Sequence, residues 1–172
     1  VFPMGGVDND PLRYLRGKGQ LPGYLGYLRK LTFGGEHDLL ESVQAFNRLV
    51  SRRGVVFLLS DLLNTERLET VLDYFPVPAW DVTVFHTLHS QELEPAFKGP
   101  LQLVDSETGA AASYNLDTQA LRAYRQQVDA WQQRLALDCV ENFAFYSHIP
   151  ADWTLESELL PHLRNIGIAR PR

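Results

Sequence analysis

The sequence Arg53-Gly54-Val55-Val56-Phe57-Leu58-Leu59-Ser60-Asp61 decides the fold. Its run from Val55 to Ser60 is apolar apart from the final serine, which predicts a strand buried on both faces, as in a parallel sheet covered by helices. Asp61 follows at the carboxyl end of that strand. Ligands of open α/β sheets bind at this edge, because the loops there open into a crevice. Asp61 is therefore the first candidate for a functional residue.

Helices and strands are predicted to alternate on both sides of this strand. Apolar residues at steps of three and four predict helices at about 20–31, 36–52, 66–75, 118–139 and 155–164. β-branched and apolar runs predict further strands at about 81–88 and 142–147. Two short strands around the turn-rich segment 105–109 predict a β-hairpin at about 101–116. The order predicts an α/β fold with a mainly parallel sheet, flanking helices and an inserted β-hairpin.

The domain organisation follows from length and from the N-terminal composition. A chain of 172 residues fits one domain. Residues 1–19 are rich in Gly, Pro and Asp, which predicts a loop-rich N-terminal segment, and residues 20–172 carry the regular pattern. Because the sequence starts at Val1, we expect the N-terminal segment to continue from an upstream region.

Charge and composition argue against several functional classes. The formal net charge of −5 disfavours nucleic-acid binding, which requires a basic surface. The sequence lacks the run of roughly 18 apolar residues that a membrane-spanning helix needs. The lone Cys139 allows no internal disulfide, so a cytoplasmic location is expected.

The sequence contains no Walker loop, GxGxxG or GxSxG motif. Seven polar residues could instead gather at the carboxyl edge of the sheet, where carboxylate and hydroxyl ligands suit a hard cation such as Mg²⁺: Glu36, His37, Asp38, Ser60, Asp61, His86 and His89. Each also has an ordinary structural role. Asp61 is typical of a turn, Glu36 and Asp38 are typical of a helix N-terminus, and His37 is typical of an exposed helix start. The histidines after the second strand, His86 and His89, are expected to be structural or solvated.

Several segments together resemble the C-terminal half of the bacterial domain of unknown function 58 family, over about Arg16 to Arg164. The segments are Gly34-Gly35-Glu36-His37-Asp38-Leu39, Leu59-Ser60-Asp61-Leu62-Leu63, Glu92-Leu93-Glu94-Pro95-Ala96-Phe97-Lys98-Gly99-Pro100-Leu101, Asp105-Ser106-Glu107-Thr108-Gly109 and the helix containing Tyr124. Family members carry a von Willebrand factor A-like domain of Rossmann type. The resemblance implies that residues 20–172 are a partial von Willebrand factor A-like domain whose first part is absent from this chain.

The resemblance also implies a metal-ion-dependent adhesion site made of three pieces. Asp61 matches the aspartate after the central strand. His37 stands where the family often has threonine, and imidazole is a poor ligand for Mg²⁺. The Asp-x-Ser-x-Ser loop does not occur in the sequence. We therefore expect an incomplete metal site with no tightly bound cofactor, and Mg²⁺ binding only if upstream residues complete it.

The expected function is that of a non-enzymatic protein-interaction module. The resemblance implies a MoxR-type AAA+ ATPase as its partner, in the assembly or activation of other proteins. The candidate partner-binding residues are Glu36, His37, Asp38, Ser60 and Asp61, and no catalytic residue is predicted. The alternative is a metal-dependent phosphohydrolase-like enzyme that uses Asp61 with Asp38 or Glu36.

Overall fold

The structure is a computed structural model that describes residues 1–4, 10–12, 16–32, 38–50, 52–63, 65, 67–96, 99–104, 109 and 111–169. After a 3₁₀ turn at Lys18–Gln20, the elements are α1 (Leu21–Leu28), α2 (Leu39–Leu49), β1 (Gly54–Ser60), α3 (Leu68–Leu72), β2 (Trp80–His86), α4 (Ser90–Leu93), β3 (Gly99–Val104), β4 (Ala111–Leu116), α5 (Thr118–Glu141), β5 (Phe145–His148), a π-helical turn (Leu155–Leu159) and α6 (Leu160–Asn165). Helices and parallel strands therefore alternate along most of the chain, as the sequence pattern predicts.

The main sheet contains three parallel strands in the order β1-β2-β5. The register places Ser60 beside His86, and His86 beside His148, at the carboxyl ends of the three strands. The α/β prediction, with a parallel sheet flanked by helices, is confirmed. Strands β3 and β4 pair antiparallel in a separate two-stranded sheet.

The hydrophobic core lies on one face of the main sheet. Side chains at alternate positions, including Leu58 of β1 and Val84 of β2, pack with residues of α2, α3 and α5. This alternation follows from the pleat, which points successive side chains to opposite faces of a sheet. Cys139 of α5 is fully buried in this cluster, as a small apolar side chain would be.

The opposite face of β1 corrects the prediction that this strand is buried on both faces. Val55, Phe57 and Leu59 are 61%, 51% and 57% exposed, although Leu58 between them is only 5% exposed. Among the described strands, β1 lies at one edge and β2 at the centre. The apolar run was consistent with burial on both faces, but composition alone does not determine how many neighbours a strand has.

The helix boundaries also differ from the sequence predictions at their ends. The helix predicted at 36–52 spans Leu39–Leu49, because Asp38 adopts an extended conformation and caps it. The long helix α5 begins after Asp117, whose side chain caps it. None of the helices in the described ranges has the length and hydropathy needed to cross a membrane.

Substitution of Leu58 by aspartate is predicted to prevent folding. An unpaired carboxylate at this buried position costs several kcal/mol, which is comparable with the stability of a whole domain. Leu59→Asp is the matched control, since the neighbouring side chain is exposed. Thermal unfolding followed by circular dichroism should show a cooperative transition for the control only. A Leu58→Asp protein that melts like the wild type would contradict the assignment of the core face.

Candidate functional site

The carboxyl edge of the main sheet is the first candidate site, because three strands end there side by side. Ser60, His86 and His148 form a row across this edge. Their alignment depends on the parallel register, which brings together residues separated by up to 88 positions in the sequence.

Ser60 and Asp61 support the turn that follows β1. The Ser60 hydroxyl accepts a hydrogen bond from the Leu62 backbone N–H at 3.1 Å. The Asp61 carboxylate accepts one from the Leu63 backbone N–H at 3.2 Å, and the side chain is exposed. These bonds are typical of short polar side chains in turns. They leave further lone pairs of the Asp61 carboxylate accessible to a partner.

Asp38 serves as the N-cap of α2. Its Oδ1 accepts hydrogen bonds from the backbone N–H groups of Leu40, at 2.6 Å, and Glu41, at 3.1 Å. These bonds satisfy two of the donors that a helix leaves unpaired at its start. Glu36 and His37, the other two predicted residues of this segment, lie outside the described residues.

In the part of the chain that the structure describes, no three His, Cys, Asp or Glu side chains are grouped so that they could hold a metal ion. Mg²⁺ requires several oxygen ligands in near-octahedral geometry. Oδ1 of Asp38 and Oδ1 of Asp61 each bind backbone N–H groups of their own segment instead.

His86 occupies the middle of the carboxyl edge and is completely buried, with 0% exposure. Its Nε2 lies 3.0 Å from the Asp61 backbone oxygen, and its Nδ1 lies 2.7 Å from the Tyr146 hydroxyl. Because a carbonyl oxygen can only accept a hydrogen bond, Nε2 carries the proton and donates a hydrogen bond to the Asp61 backbone oxygen. Nδ1 then accepts a hydrogen bond from the Tyr146 hydroxyl. Both ring nitrogens are used, so His86 ties β1 to β5 through the central strand and has no nitrogen left for a metal.

The surroundings keep this imidazole neutral. Burial, with a smaller contribution from neighbouring His148, lowers the pKa of His86 from 6.5 to about 4. Burial also raises the pKa of the Tyr146 hydroxyl, so that it remains a donor. The rings of Trp131 and His86 pack in a T-shaped arrangement, with centroids 4.8 Å apart. The centre of this edge is therefore an uncharged, packed cluster.

Two further histidines lie near this cluster, His148 against the His86 ring and His162 on α6. The pKa of His148 is lowered by burial and by His162, and its Nε2 is buried without a hydrogen-bond partner among the described residues. On the other face, the Ser147 hydroxyl lies 2.8 Å from Nε2 of His162 and links β5 to α6. The sequence gave no indication of these contacts. The one available signal was that His86 lies near the end of one predicted strand and His148 directly follows another.

A second candidate site is a groove of about 740 Å³ along the outer edge of β1. Residues 55–59 of β1 and several residues of α2 line it, together with side chains such as Phe2, Leu12 and Tyr24. The volume lies within the range of about 300–1,000 Å³ that is common for ligand pockets. Sequence reasoning missed this groove, because it depends on which side chains from distant parts of the sequence, such as Phe2, Leu12 and Tyr24, pack near β1.

Comparisons with protein-family models, with curated proteins and with solved structures found no match to this chain.

The buried neutral His86 predicts a specific loss of stability in acid. The unfolded chain binds a proton at this residue near pH 6.5, whereas the folded chain does so near pH 4. Stability from the neutral ring is therefore complete above pH 6.5 and is lost as the pH falls towards 4. Between pH 7.5 and 4.5 this residue alone should lower the free energy of unfolding by about 2.5 kcal/mol.

Urea denaturation at the two pH values measures this contribution, with His86→Gln as the control. The variant retains the acid sensitivity of every other group but lacks this imidazole. The wild type should lose more stability on acidification than the variant, by about 2 to 3 kcal/mol. Equal losses in the two proteins would show that His86 is not held neutral in the folded state.

Proposed function

We propose that this chain is a non-enzymatic protein-interaction module that binds its partner along the outer edge of β1. The observation that carries the proposal is the row of three exposed apolar side chains, Val55, Phe57 and Leu59, beside the groove. Contiguous apolar surface of this kind is typical of protein interaction sites. Ser60 and Asp61 follow directly and place a polar rim at the carboxyl end of the strand.

The proposed partner is a MoxR-type AAA+ ATPase, acting with this chain in the assembly or activation of other proteins. Support for this partner comes from the resemblance to the domain of unknown function 58 family. On the same basis, the three-stranded parallel sheet belongs to a von Willebrand factor A-like domain, and the β3–β4 pair is its inserted hairpin. The buried Cys139, whose pKa is raised to about 12 by burial, needs no oxidising compartment and fits a cytoplasmic location.

The geometry of the carboxyl edge favours binding over the phosphohydrolase alternative. A metal-dependent hydrolase would use Asp61 and Asp38 as ligands, yet each of these carboxylates already supports its local backbone. Asp61 nevertheless remains exposed, which suits a contact at the rim of an interface.

Binding to a purified MoxR-type AAA+ ATPase from the same genome tests the proposal. Titration calorimetry should detect a complex with the wild-type chain. Phe57→Lys should weaken the complex by about tenfold or more, because it places a charge in the centre of the apolar row. Val140→Lys is the matched control, since Val140 is also an exposed apolar residue and lies on α5, away from β1 in the sequence. Both variants are first checked for an unchanged melting curve.

The contrary outcomes are distinct. Absence of a complex, or equal weakening by the two lysine variants, would contradict binding at β1. Phosphate-ester hydrolysis that requires Mg²⁺ or Mn²⁺ and is lost in Asp61→Ala would instead establish the alternative, a metal-dependent phosphohydrolase.

A further inference from the structure

The outer edge of β1 presents backbone groups as well as side chains. The Gly54 N–H donates to Ala79 O, and Thr87 N–H donates to Ser60 O, so the even-numbered residues of β1 direct their backbone groups towards β2. In a parallel ladder, alternate residues face opposite sides. The N–H and C=O groups of Val55, Phe57 and Leu59 therefore point into the groove. No described strand pairs with this side of β1.

The lining of the groove suits a single extended chain. Five consecutive residues of β1, from Val55 to Leu59, line it, together with apolar side chains of α1 and α2 and with Phe2 and Leu12. An extended segment paired with β1 could place its apolar side chains against these residues.

The groove also has a charge preference at one end. Arg52 is the single ionisable side chain with a full charge at neutral pH among the described residues that line it. It precedes β1, next to the exposed Arg53. A carboxylate at the corresponding end of the bound segment would therefore be favoured over an ammonium group.

We propose that the partner contributes an extended apolar segment, which adds to the sheet as a strand alongside β1 and places an acidic residue next to Arg52. This inference rests on the proposed protein-interaction function and specifies its mode. The segment forms backbone hydrogen bonds with Val55, Phe57 and Leu59, and the row of apolar side chains then continues across the new strand.

A second copy of this chain is a poorer occupant. Self-pairing would bring two β1 edges together, and the other groove-lining side chains of each copy, such as Phe2, Leu12 and Tyr24, would have to fit against the second copy. A separate peptide segment carries no such folded elements.

Blocked, fluorescently labelled heptapeptides test the proposal directly by fluorescence anisotropy. One probe is Glu-Val-Thr-Val-Thr-Val-Thr and a second is its reverse, Thr-Val-Thr-Val-Thr-Val-Glu. Both are needed because a parallel or an antiparallel strand can pair with the edge of β1. One control replaces Glu by Lys. Another places proline at two adjacent middle positions, so that one lost N–H faces β1 in either pairing. At least one Glu probe should bind, and its proline and lysine analogues should bind about tenfold and about fivefold more weakly.

Variants of the protein provide the matching half of the test. Leu59→Pro removes an N–H that faces the groove and leaves the hydrogen bonds to β2 intact, whereas Leu59→Ala removes only the side chain. Peptide binding should fall about tenfold more in the proline variant than in the alanine variant. Arg52→Glu should reverse the preference so that the Lys probe binds better than the Glu probe. Where Leu59→Pro does not fold, the proline peptide and Arg52→Glu still decide the question.

The outcomes separate this inference from the proposed function. Equal binding of a Glu probe and its proline analogue, or no binding of any probe, overturns strand addition. A dimer that forms as the protein concentration rises, seen by light scattering, and that Leu59→Pro abolishes also overturns the proposal. A second copy of the chain would then occupy the edge of β1 in place of a partner segment. An ATPase complex that is insensitive to Leu59→Pro refutes the strand mode and preserves the interaction module. Peptide binding without an ATPase complex supports strand addition and refutes the proposed partner.

Discussion

The parallel pairing of β1 with β2 is the constraint on which the rest of the structure depends. It fixes which side chains of β1 enter the core and which remain outside, because a shift of the pairing by one residue would move every side chain of the strand to the opposite face. Leu58 is buried under α2, α3 and α5, so Val55, Phe57 and Leu59 must face the opposite way. The same pairing directs alternate backbone groups towards the groove. The apolar row and the backbone edge therefore have one common origin.

The polar centre of the carboxyl edge has a supporting role. His86 is buried with both nitrogens engaged, by Asp61 and by Tyr146, and so connects the turn after β1 to β5. This arrangement fixes the backbone at Asp61, from which the exposed carboxylate extends. Unpaired polar groups in such a position would be costly, which explains why the ring stays neutral and fully bonded. The edge is thus built for rigidity, and the accessible apolar surface lies beside it along β1.

The sequence predicted those features that depend on local patterns. Apolar periodicity placed the helices and strands, because helices and strands repeat their apolar side chains at different spacings. Features that depend on distant residues were not predictable. The contact between His86 and Tyr146 requires the register of strands 60 residues apart, and the groove requires side chains such as Phe2, Leu12 and Tyr24 to pack near β1. The exposure of Phe57 was mispredicted because it too depends on which distant parts of the chain pack beside the strand.

Amide hydrogen exchange along β1 in the isolated chain tests the central claim most directly. The account predicts rapid exchange for Val55, Phe57 and Leu59, whose N–H groups face the groove, and slow exchange for Val56 and Leu58, whose N–H groups face β2. Addition of the tightest-binding heptapeptide should slow exchange at the three odd-numbered residues alone. Uniformly slow exchange from Val55 to Leu59 in the isolated chain would contradict the account, since it would show that the outer edge of β1 is already paired.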